Sequence, residues 1–311
     1  MNFFTLTTPV VLLGFNRPAE TGRVFAAIRE ARPPRLLIVA DGPRADRPDD
    51  GPLCAEVRRI VEQVDWPCEV QHNYSGINLG CRQRVASGLD WVFEQVEEAI
   101  ILEDDCLPHP SFFRFCEELL SKYRHDERIM MISGDNFQFG INRTSYSYYF
   151  SRYSHIWGWA SWRRSWEKYD ILMKLWPEIR DGGWLHDVFI RNNVIKYWEK
   201  SFEDTYNGLI DTWDHQFTFA CIVNNGLSIV PNMNLVSNIG FNFGATRTKS
   251  KCRFSDMRTE EMLFPLVHPH HIIRNAKADK YTENLQFTSS ILLKRILRHF
   301  YYEMQNMLKK Y

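Results

Sequence analysis

Apolar runs alternate with segments of helical periodicity over the first 135 residues of the chain. Four short apolar runs predict strands, at residues 9–15, 36–40, 99–102 and 129–133, and a further short strand is predicted at residues 68–72. The connecting segments carry apolar residues three or four positions apart, which predicts helices between residues 18 and 33, over 53–64, over 85–96 and from near Ser111. This alternation predicts an α/β fold with a mostly parallel sheet and helices on both of its faces.

The second half of the chain has a weaker pattern. Residues 136–245 are rich in Trp, Tyr and Asn, and their clearest elements are a helix after Trp213 and an extended segment over residues 227–236. We expect a catalytic domain over residues 1–245, which divides into halves at residues 1–135 and 136–245.

The chain after residue 245 is expected to form a C-terminal extension over residues 246–311. It ends in a basic amphipathic helix at residues 289–311, with Ile, Leu, Phe and Met on one face and Lys and Arg beside it. This helix can pack on its own domain, form a dimer, or lie on an anionic membrane surface.

Polar residues follow three of the predicted strands. They are Asn16-Arg17, Asp41-Gly42 and Glu103-Asp104-Asp105. Ligands of parallel α/β sheets bind at the carboxyl ends of the strands, so these residues should meet in one crevice. Neither GxGxxG nor GxxxxGK[ST] follows any strand, which argues against dinucleotide-binding and P-loop sites.

Composition narrows the class of protein. The 311 residues are 44% hydrophobic and 24% charged, which excludes a disordered or membrane-spanning chain. Lys+Arg and Asp+Glu are both 38, so bulk charge does not attract nucleic acid. The seven scattered cysteines and the lack of a basic, signal-like N-terminus lead us to expect a cytoplasmic protein.

The acidic triplet of residues 103–105 is the strongest chemical signal. Three consecutive carboxylates at the end of a buried strand repel one another unless a cation neutralises them. Carboxylate oxygens suit Mn²⁺ or Mg²⁺, and an incompletely coordinated ion can hold a diphosphate. The alternative is that the acids are solvated or cap the following helix.

Residues 100–120, IILEDDCLPHPSFFRFCEELL, resemble the metal-binding stretch of GT-A-fold glycosyltransferases of the N-acetylglucosaminyltransferase I-like group. In that group a DXD-type acidic triplet follows an apolar strand. The resemblance implies that Asp105 is the direct Mn²⁺ ligand, that Asp104 faces the ribose and that Glu103 faces the donor sugar.

Further segments resemble this group in the same order along the chain. PVVLLGFNRP resembles its first strand and implies that Arg17 lies near the base or phosphates of the nucleotide. LLIVADGPR resembles its second strand and implies that Asp41 contacts the base. IWGWASWRRSW resembles its acceptor-side segment, and LSIVPNMNLVSNIGFNFG resembles the strand and loop that close over the donor.

DTWDHQF, residues 211–217, resembles the Trp-Asp element of the same group. The resemblance implies that Asp214 is the base that deprotonates the acceptor hydroxyl and that Trp213 forms a wall against the sugar. Either Asp211 or Asp214 can instead be a helix N-cap, and Trp213 can instead be a core side chain.

The loop of residues 76–80 leads to two arginines near a helix start. Backbone N–H groups and the guanidinium of Arg82 would suit a diphosphate, although Arg82 and Arg84 are equally compatible with a solvated helix face.

These features predict a metal-dependent, inverting glycosyltransferase. Its donor is a nucleoside diphosphate sugar, for which the resemblance favours UDP, and its acceptor is a hydroxyl of a glycan, glycolipid or protein-linked glycan. Two alternatives stay open: a nucleotidyltransferase that makes a nucleotide sugar, and a non-catalytic sugar-binding protein of the same fold.

Overall fold

A computed structural model describes residues 4–241 and 253–287. Its strands are β1 (Val10–Gly14), β2 (Arg35–Ala40), β3 (Glu69–Tyr74), β4 (Glu98–Glu103), β5 (Cys106–Pro108), β6 (Ile129–Ser133), β7 (Tyr148–Ser151), β8 (Trp159–Trp162), β9 (Leu227–Pro231) and β10 (Val236–Asn238). Its helices are α1 (Pro18–Ala31), α2 (Asp50–Val61), α3 (Gly80–Gln95), α4 (Ser111–Tyr123), α5 (Arg163–Trp166), α6 (Trp176–Asp181), α7 (Leu185–Val188), α8 (Asn192–Tyr206), α9 (Asp214–Val223) and α10 (Ala276–Gln286).

In the described part of the chain, eight strands form one sheet in the order β3-β2-β1-β4-β8-β6-β9-β7, and β5 pairs with β10 separately. The neighbours from β3 to β4 are all parallel, as are β6 and β9. Strand β8 is antiparallel to both β4 and β6, and β7 is antiparallel to β9. The predicted mostly parallel α/β fold is therefore confirmed, with two antiparallel strands in its second half.

Helices cover both faces of the sheet because successive strand residues point to opposite sides. Val10 and Leu12 of β1 pack in a core with α1 and α4, whereas Val11 and Leu13 pack in another core with α3 and α9. All four residues are 5% exposed or less. This explains why the sequence of β1 is a continuous apolar run rather than an alternating one.

Two helices begin earlier in the structure than the sequence predicts. Helix α2 begins at Asp50, three residues before the expected start, and α3 begins at Gly80, before the apolar periodicity that starts at Val85 and close to the helix start expected near Arg82. At the start of α2, the buried Asp50 accepts hydrogen bonds from Asn16 and Arg44. At the start of α3, the distant Asp211 accepts hydrogen bonds from backbone N–H groups. The periodicity of apolar residues does not reveal these contacts. The extended segment predicted over residues 227–236 divides into β9 and the start of β10.

A third cluster of buried side chains fills the space among α6, α7, α8 and α9. Trp176, Trp198, Phe202 and Phe219 are its largest members, together with Tyr153 after β7. Many aromatic residues of the second half therefore belong to the core, and fewer of them are available to contact a ligand.

The first part of the predicted C-terminal extension packs against the sheet. Helix α10 follows an N-cap at Asn275, whose side chain accepts a hydrogen bond from the Ala278 backbone N–H at 3.0 Å. Asp279 of α10 accepts a hydrogen bond from Ser151 at the end of β7 at 2.7 Å. The predicted helix at residues 289–311 lies outside the described residues. Within those residues no helix is both long and apolar enough to span a bilayer.

Candidate functional site

The carboxyl ends of β2, β1 and β4 lie side by side at one edge of the sheet. Gly14 of β1 is in register with Ala40 of β2, and Leu13 is in register with Glu103 of β4. The Asp41 backbone N–H donates to the carbonyl oxygen of Gly14 at 3.0 Å. The three polar segments that follow these strands therefore start from the same edge, as the sequence predicts.

Arg17 lies against the acidic triplet. Its guanidinium donates to the carboxylate of Asp105 and stands 3.7 Å from the carboxylate of Asp104. Asp104 also accepts a hydrogen bond from the Phe15 backbone N–H at 3.1 Å. Because α1 starts at Pro18, only three residues separate β1 from the helix, and this short turn holds Arg17 over the end of β4.

Three acidic residues act on Arg17 at this edge. Burial on its own lowers the pKa of Arg17, but the charges of Asp104, Asp105 and Glu103 outweigh it and raise that pKa. Burial, followed by the charge of Asp105, raises the pKa of Asp104 despite the opposing effect of Arg17. The adjacent carboxylates of Asp104 and Asp105 repel each other, and a cation bound between them and a substrate would reduce that repulsion.

The residues at this edge fit a divalent ion that is shared with a substrate. No cluster of three or more His, Cys, Asp or Glu side chains suited to a metal occurs in residues 4–241 and 253–287. Mg²⁺ sites that hold nucleotides typically use only one or two protein carboxylates and complete the coordination with phosphate and water oxygens. Asp105, half-buried beside the buried Asp104, offers a donor set of that kind.

The last residue of β10 and the residues after it contact the Arg17–Asp105 pair. The Ile239 backbone N–H donates to the carbonyl oxygen of Asp105 at 2.8 Å, and the Asn238 amide donates to its carboxylate at 3.4 Å. A Cβ atom on Gly240 would collide with Asp105 and approach Arg17. A glycine at position 240 therefore lets the backbone approach the ion pair closely.

Asp41 is held by the loop that precedes α3. One of its carboxylate oxygens accepts hydrogen bonds from the backbone N–H groups of Gly42 and Leu79, each at 2.9 Å. The other accepts from the Asn78 amide at 3.0 Å and from the Gly80 N–H at 3.1 Å. Burial raises the pKa of Asp41 and these hydrogen bonds lower it in part. Contact with a base stays a prediction, and four donors already engage this carboxylate.

Asp211 caps helix α3 across the chain. Its carboxylate accepts hydrogen bonds from the backbone N–H groups of Cys81 and Arg82, both at 3.1 Å. The side chain of Arg82 turns away to donate to the Ile171 carbonyl oxygen at 2.9 Å. The sequence suggested Asp211 as an N-cap of the helix that follows it, but the helix that it caps is α3. A diphosphate-binding role for Arg82 stays a prediction.

Asp214 is the first residue of α9 and is half-buried. Its carboxylate accepts a hydrogen bond from the Thr212 hydroxyl, and the positive end of the helix dipole favours a negative charge at this position. Tyr169 lies nearby: burial raises its pKa, and the charges of Arg82 and Asp214 act on it in opposite directions. Tyr169 therefore lies close enough to feel the charge of Asp214 at the start of α9 and of Arg82 near the start of α3. The predicted role of Asp214 as a base is not tested by this placement.

Trp213 is only 1% exposed. Its ring stacks on Trp159 with centroids 5.4 Å apart, inside the core that α3 and α9 share. This position fits the core alternative more readily than the sugar wall. Sequence reasoning passed over Tyr169, whose buried hydroxyl has no hydrogen-bond partner among the described residues. No sequence signal distinguishes this tyrosine from the others.

The buried carboxylate of Asp50 binds the turn that carries Arg17. Asp50 accepts hydrogen bonds from Arg44 Nε at 2.6 Å and from the Asn16 amide at 2.7 Å. The Arg44 hydrogen bond is the main reason that the pKa of Asp50 falls to about 2. Asp50 thus connects the turn after β1 with the start of α2.

We expect Asp50→Asn to lower the free energy of unfolding by about 2 kcal/mol at pH 7. A depressed native pKa stabilises the fold above the unfolded pKa near 3.8, and this contribution disappears as pH falls towards 2. Urea unfolding between pH 7 and pH 2.5 should therefore show a difference that shrinks mainly below the unfolded pKa. Asp46→Asn, at an exposed position, is the control and should change little. A cost that is independent of pH would contradict this account.

No family model and no curated protein sequence matches the chain. Solved structures with partial similarity include a mannosyltransferase from Pyrobaculum calidifontis in complex with GDP-Man and Mn²⁺, at 14% identity and TM-score 0.36, over 52% of this chain and 46% of that one. A UDP-glucose pyrophosphorylase complexed with UDP-glucose is 12% identical, with TM-score 0.27, over 47% of this chain and 62% of that one. A 4-diphosphocytidyl-2C-methyl-D-erythritol synthase from Anaerococcus prevotii is 9% identical, with TM-score 0.32, over 52% and 76%.

This chain spans about half the length of the mannosyltransferase. The resemblance to the N-acetylglucosaminyltransferase I-like group stays a prediction.

Proposed function

We propose that the protein is a metal-dependent, inverting glycosyltransferase that moves a sugar from a nucleoside diphosphate sugar to an acceptor hydroxyl. The observation that carries this proposal is the pairing of Arg17 with the acids at the end of β4. It joins a cationic group suited to a diphosphate with carboxylates suited to a divalent ion, at the edge where parallel α/β sheets bind ligands.

In this proposal Asp105, with Asp104 behind it, would hold Mn²⁺ or Mg²⁺ together with the donor diphosphate. The bound ion would offset the negative charge that develops on the leaving diphosphate. Arg17 exchanges its contact with Asp105 for one with a phosphate oxygen. The loop that Asp41 holds, and the start of α3 beside Arg82, form the adjacent wall for the nucleotide.

Asp214 is the proposed base. It accepts the proton of the acceptor hydroxyl while that oxygen attacks the anomeric carbon from the side opposite the diphosphate. A single displacement of this kind inverts the configuration at the anomeric carbon. Thr212, which donates to Asp214, orients the carboxylate for this step.

The turn between β1 and α1 favours glycosyl transfer over nucleotidyl transfer. Enzymes that bind a nucleoside triphosphate need several backbone N–H groups around its phosphates, usually from a glycine-rich loop. Only Phe15, Asn16 and Arg17 lie between β1 and α1. Phe15 already donates its backbone N–H to Asp104, and the Asn16 side chain is bound to Asp50.

Calorimetric titration of the protein with UDP, GDP and CMP tests the donor site. We expect one of these nucleotides to bind more tightly in the presence of Mn²⁺ than in its absence, which would also identify the base. UDP is the expected nucleotide because the resemblance to the N-acetylglucosaminyltransferase I-like group favours it. If none of the three binds with or without Mn²⁺, the proposed donor site is wrong.

A further inference from the structure

A cavity of about 430 Å³ lies at the opposite edge of the sheet from the candidate site. Its lining includes Gly226 and Leu227, at the start of β9. Strand β9 is parallel to β6, and β6 is related to β4 by two antiparallel pairings through β8, so β9 runs in the same direction as β4. The start of β9 and the end of β4 are therefore on opposite edges.

Two arginines line this cavity, and they are unequally neutralised. Arg274 donates to the buried Asp279 at 3.0 Å. Arg152 donates to the Val188 carbonyl oxygen and stands 5.3 Å over the ring of Phe189, but it forms no ion pair with any described residue. Burial, together with the charge of Arg274, lowers the pKa of Arg152. Arg152 thus has no ion-pair partner among the described residues, although the charges of Asp279 and Glu283 raise its pKa in part.

The remaining lining is mostly apolar, and Asp187 is its sole acid among the described residues. Trp184, 53% exposed, is the large ring at the cavity. The other apolar members are Ile179, Leu185, Val188, Ile222, Val223 and Leu227. The end of α9 also brings backbone carbonyl groups to this region, and the backbone N–H groups of residues 224–226 bind three of them.

We propose that this cavity binds a small organic anion, with its phosphate or carboxylate group on Arg152 and Arg274 and its apolar or ring portion against Trp184 and Leu185. A volume near 430 Å³ is within the usual range for small-molecule sites. A cationic pair in a largely apolar cavity specifies such a ligand by charge and shape together. The site is separate from the proposed donor site, although α9 reaches both: Asp214 begins it and Val223 lines the cavity.

The test is calorimetric titration with phenyl phosphate and benzoate, which carry the two candidate anionic groups on the same ring. Phenol and inorganic phosphate are the controls for the ring alone and the anion alone. Arg152→Met should weaken binding of the better anion at least about tenfold, because it removes a charged hydrogen-bond donor. Asp187→Asn should strengthen the same binding, because it removes the acid. Arg59→Gln, an exposed arginine elsewhere, should leave it unchanged.

The outcomes separate the two sites. Binding that depends on Arg152 and Asp187 but persists in Asp105→Asn supports the proposal, and the better probe identifies the anionic group. The proposal would be overturned if neither phenyl phosphate nor benzoate binds. It would also be overturned if binding is lost in Asp105→Asn but not in Arg152→Met. Inorganic phosphate binding as tightly as phenyl phosphate would overturn the role of the apolar lining. If Arg152→Met does not fold, the response to Asp187→Asn decides.

Discussion

Asp214→Asn is expected to slow turnover of the nucleotide-sugar donor by roughly 10²–10⁴-fold, the usual contribution of a general base. Asparagine has nearly the same shape as aspartate and can still accept the Thr212 hydrogen bond, but it cannot take a proton at neutral pH. Nucleotide binding should be unchanged because the base acts on the acceptor side.

The measurement is the release of nucleoside diphosphate from the donor that the titrations identify, with water as the acceptor. It compares wild type, Asp214→Asn and Asp181→Asn, a control that removes a carboxylate from an exposed position. Thermal unfolding of the same variants separates catalysis from stability. Loss of a helix-terminal carboxylate should cost no more than about 1 kcal/mol. If Asp214→Asn turns over the donor as fast as the control, Asp214 is a structural residue and not the base.

Asp105→Asn is expected to abolish the effect of Mn²⁺ on nucleotide binding. The substitution removes the proposed metal-binding charge and also weakens the attraction that holds Arg17 against the acids, although Asp104 stays 3.7 Å from its guanidinium. Metal-free binding should therefore be retained or strengthened, because Arg17 can then turn to the diphosphate more readily. A merely destabilised protein would instead lose both modes of binding.

Arg17→Gln provides the converse variant. It should weaken metal-free nucleotide binding and increase dependence on Mn²⁺, because the acids lose their internal cation. Asp65→Asn, which removes an exposed carboxylate that pairs with Arg29, is the matched charge control for Asp105→Asn. Calorimetry at fixed ionic strength measures each case. Equal stimulation by Mn²⁺ in wild type and Asp105→Asn would show that the metal site lies elsewhere.

The parallel half of the fold was predictable largely because three of its strands, β1, β2 and β4, are buried on both faces. Runs such as residues 36–40 and 99–102 are apolar without interruption, and the structure confirms them as β2 and β4. The end of each run also predicted which polar residues reach the same edge. These inferences need only local pattern and the rule for parallel sheets.

Strand β8 and helix α8 were not predicted from the sequence. Trp159–Trp162 has four buried residues, and its antiparallel position between β4 and β6 depends on pairing with distant strands. In α8, buried Val194, Trp198 and Phe202 do follow helical spacing. The signal for α8 was therefore present and was missed, whereas the place of β8 in the sheet was not encoded locally.

Some parts of the candidate site were likewise predictable from the sequence, and others were not. The acids after β4 and Arg17 after β1 were recognisable from strand ends alone. The cap that Asp211 forms on α3 joins residues about 130 positions apart, and the close approach of Gly240 to Asp105 joins equally distant segments. Trp213 is in the core because Trp159 stacks on it, a contact that its own sequence neighbours do not reveal.

The most direct test of the central claim is identification of the phosphorus-containing product by ³¹P NMR. The protein is incubated with Mn²⁺ and the nucleoside diphosphate sugar whose base the titrations identify, and in parallel with the matching nucleoside triphosphate and a sugar 1-phosphate. The proposed glycosyl transfer predicts release of nucleoside diphosphate in the first reaction and no pyrophosphate in the second. Pyrophosphate in the second reaction, without nucleoside diphosphate in the first, would contradict it and identify a nucleotidyltransferase.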